Sequence, residues 1–166
     1  MSSGDQNISI PEKHDGELTG RMDIRVLLRL LSCSMTIEKR LRRRFIEQFD
    51  TTLPRFDVLA ALERNPDGVT MSELSRLLLV SNGNVTVLVR QLESDGYLSA
   101  EAPPEDKRRT IVMMTRKGRE HFKLLAEAHH KWIGSMFRQM SAADMQSLHS
   151  LLANLKVSLA AEEETD

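Results

Sequence analysis

The sequence predicts a mainly α-helical chain with a small β-wing: a winged helix-turn-helix core flanked by N- and C-terminal dimerisation helices. Three observations predict it. Residues 70–115 carry two short apolar-periodic segments parted by a polar turn, then two runs of strand formers joined by a basic tip. Long amphipathic segments lie on either side, over about residues 22–49 and 116–159. A hydrophobic fraction of 40% with only 4% aromatic and 28% charged residues fits helices packed on a modest core.

The turn-connected pair comes first. Thr70-Met71-Ser72-Glu73 has capping-box spacing, in which a threonine oxygen and a glutamate carboxylate each satisfy a free N–H of a helix start. Leu74, Leu77 and Leu78 follow at helical spacing. Ser81 or Asn82 suits the cap of the next helix, where short polar side chains accept orphan N–H groups. There Val85, Leu88 and Leu92 make a stripe expected to be buried, and Asn82, Asn84, Thr86 and Arg90 fall on other faces. Asp95-Gly96 closes it with a residue free to take positive φ. A rival reading exists, because the pair Asn82-Gly83 between β-branched residues is a hairpin signal. The unbroken period into Leu92 and the capped helix before it favour the helix.

The wing follows. Tyr97, Leu98, Ile111 and Val112 are strand formers, and Pro103-Pro104 between them cannot donate to a ladder. The tip carries Asp106-Lys107-Arg108-Arg109. Positive charge at the end of a projecting arm suits phosphates or a narrow minor groove. After a turn-connected helix pair, this arrangement points to double-stranded DNA. Asn82, Asn84 and Thr86 are candidates for base or backbone contact, since asparagine can pair with adenine through two hydrogen bonds. Ser81 lies beside them, and Ser72 and Arg90 are assigned to phosphate.

The flanks read as packaging. Residues 1–20 lack periodicity and are expected to form a flexible arm. In the segment from Met22, Ile24, Leu27, Leu28, Leu31 and Met35 form one stripe, continued by Leu41 and Phe45. Arg42-Arg43-Arg44 reads as a solvated face with Glu38 and Glu47 for partners. Cys33, inside this helix, reads as a small buried apolar residue, with redox sensing as an alternative that needs access and a lowered pKa. Thr51-Thr52-Leu53-Pro54 starts a helix, with a threonine cap and proline in the first turn. Its core face is Phe56, Leu59, Ala60 and Leu62, and Val69 with Thr70 can add a very short strand beside the wing. Thr115 caps a helix running to about Met140, rich in Phe122, Leu125, Ala126, Trp132, Ile133, Met136 and Phe137. Ser141 to Asp144 has capping spacing again, and the last helix carries more apolar surface than a lone terminal helix needs. Residues 161–166 form an acidic tail.

Composition bounds the function. A net charge of −1 does not announce a nucleic-acid binder, so the distribution of charge matters more than the sum. No apolar run reaches membrane-spanning length and the polar start is not a secretory signal, which makes the cytoplasm the expected compartment. One cysteine excludes an internal disulfide framework. His121, His129 and His130 lack the spacing of helical zinc sites. No Gly-rich phosphate loop or nucleophile elbow is present, so no catalytic residue, metal or cofactor is expected.

The order of features resembles the MarR family of bacterial winged-helix regulators over roughly residues 22–158. The residues that carry the resemblance are Leu53-Pro54-Arg55-Phe56-Asp57-Val58-Leu59, Met71-Ser72-Glu73-Leu74-Ser75, Asn84-Val85-Thr86 and Leu92-Glu93-Ser94-Asp95-Gly96-Tyr97. Asp106-Lys107-Arg108-Arg109 and Thr115-Arg116-Lys117-Gly118 complete it. The resemblance implies a domain over residues 21–160, with its winged helix at about 52–115, acting as a homodimer on a pseudo-palindromic operator. It implies a repressor released by a small anionic or aromatic effector, such as an aromatic acid or its coenzyme A thioester. Asp106 would hold a wing arginine by a salt bridge. Arg25, Arg29, Phe56, His129 and Trp132 are the implied effector contacts. The alternatives are a redox-sensing regulator acting through Cys33 and a winged-helix protein-interaction module that does not bind DNA.

Overall fold

A computed structural model describes residues 21–102 and 110–163. The order is α1 (Met22–Phe49), α2 (Leu53–Glu63), β1 (Val69–Thr70), α3 (Met71–Leu78), α4 (Asn82–Ser94), β2 (Leu98–Glu101), β3 (Ile111–Met114), α5 (Arg116–Phe137) and α6 (Ala142–Glu163). The chain divides into two compact units, one ending at His129 and the other beginning at His130, so the boundary falls inside α5. The expected N-terminal arm, the wing tip and the end of the acidic tail lie outside the described residues.

The core of the first unit is built around α2. Leu53, Phe56, Val58, Leu59, Ala61 and Leu62 are all buried, so α2 is covered on more than one face and Ala60 is only half-buried. Thr52 sits at its N-cap in extended backbone but makes no side-chain cap bond, unlike the expected threonine cap. Pro54 in the first turn lacks only an N–H that would have no intrahelical acceptor anyway.

The predicted capping box opens α3. Thr70 Oγ1 accepts the Glu73 N–H at 3.3 Å, and Glu73 Oε2 accepts the Thr70 N–H at 2.8 Å. Leu74 is buried, but Leu77 is 51% exposed, so the expected stripe is narrower than the periodicity indicated. The helix ends on Leu79, which takes the left-handed conformation at φ 54.

Residues 82–94 are helical, which excludes the hairpin reading of Asn82-Gly83. The buried stripe is Val85, Val89 and Leu92, with Leu88 only half-buried. Val89 and Leu88 lie on either side of the Val85–Leu92 line by similar angles, so the helical repeat alone does not choose between them. The helix closes as expected on Gly96 at φ 76: the Gly96 N–H reaches the Glu93 carbonyl at 2.8 Å and the Tyr97 N–H the Leu92 carbonyl at 2.9 Å.

The three strands form one antiparallel sheet in the order β1-β3-β2. Val69 pairs with Val112, and Leu98 with Met114. Alternate residues of β3 turn inward, so Val112 and Met114 are buried while Ile111 and Met113 are half-buried. The very short strand beside the wing is therefore present. Thr115 then caps α5: its Oγ1 accepts the Gly118 N–H at 3.0 Å and donates to the Gly96 carbonyl at 2.8 Å. The helix stops at Phe137, short of the expected Met140.

In α1 only part of the predicted stripe is covered. Leu28, Leu41 and Phe45 are buried, whereas Ile24, Leu27 and Met35 are exposed. Cys33 is exposed as well, which corrects its reading as a buried apolar residue. These three belong to the N-terminal half of the helix, ahead of the stretch that packs with α2 through Phe45 and Phe56, rings 4.8 Å apart; Ile46 in that stretch is exposed too. Arg42 and Arg43 pair with Glu38 and Glu47 on the solvated face, as their spacing indicated.

In the second unit, Ser141 caps α6 by accepting the Asp144 N–H at 3.1 Å. Between Ser141 and Ala161 every residue is exposed except Leu155, including Met145, Leu148, Leu151, Leu152, Val157 and Leu159.

Candidate nucleic-acid interface

Helix α4 presents a complete outward face. Each residue turns the helix by about 100°, so the residues opposite the Val85, Val89 and Leu92 stripe are Gly83, Val87, Arg90 and Ser94. All four are exposed, as are Asn84 and Gln91 on one flank. Asn82 and Ser81 are exposed at the N-terminal end. Thr86 is half-buried, and its hydroxyl donates to the Asn82 carbonyl at 2.9 Å, so its proton is spent inside the helix. The surface of α4 thus offers amides, a guanidinium and one apolar side chain. Val87 and Gln91 were not among the residues picked from the sequence.

Ser72 is exposed in the first turn of α3, as is Arg76 near its end. The wing-tip candidates Asp106, Lys107, Arg108 and Arg109 lie outside the described residues.

Behind this surface, a polar cluster locks the end of α4 to α2 and α5. Arg55 on α2 donates to the Asp95 carboxylate at the C-cap of α4. The Arg55 side chain is 19% exposed, and its Nε is buried without an acceptor among the described residues. Lys117 donates to the Asp95 carbonyl at 2.6 Å and stands 4.9 Å from the centre of the Tyr97 ring. His121 also stacks on Tyr97, with centroids 4.3 Å apart. Burial first, then the neighbouring Arg55 charge, holds the His121 pKa below its usual value, and Asp95 opposes them. Gly118 is buried at the point where α5 starts, and a Cβ there would run into the Tyr97 carbonyl and stand 2.8 Å from Met114 Cγ.

The implied effector residues differ in burial. Arg25 and Arg29 are exposed on the N-terminal half of α1. Phe56 is a core residue, 6% exposed, whose ring meets Phe45, Phe122 and His129 at 4.8, 5.6 and 4.8 Å. His129 is half-buried in that aromatic stack. Trp132 is buried and belongs to the second unit.

Comparison with known proteins settles the family. A family model described as the MarR family matches residues 49–109. The transcriptional activatory protein BadR of Rhodopseudomonas palustris is 30% identical over 144 residues, covering 83% of this chain and 82% of that protein. The chain belongs to the MarR family. It is a DNA-binding transcriptional regulator. A MarR family regulator from Silicibacter pomeroyi, solved by crystallography, shares 31% identity at a TM-score of 0.71, covering 83% of this chain and 95% of that one. The fold is also that of Sco3205, a MarR family regulator from Streptomyces coelicolor solved in complex with DNA, with a TM-score of 0.75 at 19% identity over 88% of this chain and 93% of that one. No helix among the described residues is long and apolar enough to cross a membrane.

Proposed function

We propose that this MarR family regulator acts in the cytoplasm as a homodimer on a pseudo-palindromic operator, with α4 in the major groove and the wing against the backbone or minor groove. The observation that carries this reading is the outward face of α4, which is exposed along its length and holds hydrogen-bonding side chains in its first two turns. A major groove is wide enough for one helix and displays a distinct pattern for each base pair. The exposed apolar residues of α1 and α6 support pairing of two copies, because an isolated chain leaves them in water. Two-fold symmetry would set half-sites about one helical turn apart, roughly 10–10.5 base pairs.

Genomic fragments captured by the purified protein at moderate salt, then sequenced, test the reading. An enriched inverted repeat near promoters is expected, together with sedimentation at twice the chain mass. Only weak, sequence-blind binding would remove it, leaving the protein-interaction alternative. Replacing Arg108 and Arg109 by alanine is expected to lower the salt slope of binding by about 0.9 per lost phosphate contact. An unchanged slope would take the wing out of the mechanism.

For control, we propose repression relieved by a small anionic or aromatic effector. Arg25 and Arg29 support it, since guanidinium groups pair with carboxylates through two parallel hydrogen bonds. The effector would favour a subunit spacing that misses the operator. Aromatic acids and their coenzyme A thioesters are to be titrated into the operator complex. Release by one of them, lost in the Arg25→Ala/Arg29→Ala variant, is the expected result. An activator is the second reading, favoured by the similarity to the transcriptional activatory protein BadR, and transcription in vitro from the captured promoter separates the two.

A further inference from the structure

The outward face of α4 contains one side chain that cannot hydrogen-bond. Val87 is 55% exposed, flanked on the same helix by Asn84, Arg90 and Gln91, all exposed. An apolar side chain in that position gains little inside this chain, because the core of α4 is on the opposite side, at Val85, Val89 and Leu92. One turn earlier on the same face stands Gly83. Its backbone is helical without a positive φ, and a Cβ built on it meets nothing within 4 Å. Neither a positive φ nor packing within the chain calls for glycine at this first-turn position. A close approach to the first turn of α4 from outside the chain is a use that the missing methyl group would serve.

We infer that Val87 contacts the C5-methyl group of an operator thymine, and that Gly83 lets the first turn of α4 sink deep enough into the groove for that contact. The chemistry selects the target. The major-groove edges of the base pairs are otherwise hydrogen-bond donors and acceptors, and the thymine methyl is their apolar group. Phosphate offers valine nothing. The exposed Leu77, Leu79 and Val80 belong to α3 and the turn, so Val87 is a single apolar position within a polar helix face rather than part of an apolar α4 surface. This makes Val87 a specificity-determining residue, and it rests on the reading that α4 lies in the major groove.

The test uses the full chain and a synthetic duplex carrying the inverted repeat that the protein selects from a random-sequence pool. Each thymine is replaced in turn by deoxyuridine, which removes only the methyl group. The parent protein is expected to lose about fourfold in affinity at one position per half-site, the worth of one buried methyl-sized group. Val87→Ala should lose a similar factor on the thymine duplex and be indifferent to deoxyuridine at that position. Gly83→Ala should bind the operator more weakly while its thermal stability stays level or rises. Parent binding that ignores every deoxyuridine, or a Val87→Ala variant still sensitive to the same one, would overturn the inference. Arg90→Ala and Asn84→Ala keep the two readings apart. If both weaken binding while the methyl contact is absent, α4 still lies in the groove and only the thymine contact fails. If both bind as the parent does, the placement of α4 fails and the inference with it.

Discussion

His121 lies face to face with Tyr97, their ring centroids 4.3 Å apart and their planes 5° from parallel. Tyr97 directly follows the Gly96 turn that ends α4, and His121 is one turn into α5, so the stack ties the end of α4 to the helix beyond the wing. Burial and the Arg55 charge favour the neutral imidazole, placing its folded pKa below the ordinary 6.5. The unfolded chain therefore binds more protons through this group as pH falls. Its contribution to stability is present above about pH 6.5 and is lost on acidification through the lower, folded pKa. Thermal melts between about pH 5 and 7.5 should show a steeper fall for the parent than for His121→Phe, which keeps a ring on Tyr97 but cannot titrate. Identical pH dependence would show that this histidine contributes no linkage.

Asp57 is expected to have the opposite sign. Burial beside α1 raises its pKa from 3.8 to about 6, against the lowering effect of Arg42, while Glu38 adds to the rise. The neutral acid is the favoured folded form, so its stabilisation is complete below about pH 4 and is lost as pH rises through 6. Above that, holding the carboxylate charged costs on the order of 1 kcal/mol, because the group keeps part of its solvent contact. Asp57→Asn should raise the melting temperature at about pH 8 by roughly a few degrees and lose that advantage near pH 4. A lower melting temperature for the variant at pH 8 would mean that Arg42 and Arg64 outweigh burial.

Leu79 ends α3 at φ 54 and ψ 39 while 92% of its surface faces solvent. A side chain in the left-handed region costs about 1–2 kcal/mol, and little packing is available here to offset it. Glycine adopts this conformation without that clash but loses more chain entropy on folding. Leu79→Gly should therefore stabilise the fold by roughly 0.5–1 kcal/mol, read as a higher urea midpoint with an unchanged slope. A destabilised variant would mean that Leu79 is covered in the folded protein.

Gly118 is expected to show the reverse. A methyl group there meets the Tyr97 backbone, which cannot move without disturbing the Gly96 turn and the Thr115 cap. Gly118→Ala should cost about 1–3 kcal/mol in urea unfolding. A variant as stable as the parent would show that the junction yields.

Most of the local structure was legible in the sequence. The Thr70 and Glu73 box, the Thr115 and Ser141 caps and the Gly96 stop are interactions between residues close along the chain, so their spacing announces them. The hairpin reading of Asn82-Gly83 failed for a related reason. A two-residue signal was outweighed by a helical period that continued to Leu92 and by the packing of Val85 and Val89 in the core. The exposed polar face of α4 was legible only in part. Asn82, Asn84 and Arg90 are exposed as expected, but Thr86 donates its proton to the Asn82 carbonyl, and the exposed Val87 was not among the residues picked.

The sequence by itself determined the order of elements, the caps, the turn and the family signature, since all of these are written in short-range spacing. Only the tertiary structure decided which apolar residues are covered: Phe56 is buried in the core, while Leu27, Met35 and Cys33 stayed exposed. It also decided the ties of Arg55 to Asp95 and of Tyr97 to His121, and the burial that raises the Asp57 pKa. Burial and long-range pairing depend on which distant segments arrive beside a residue, and periodicity within one helix carries no record of them.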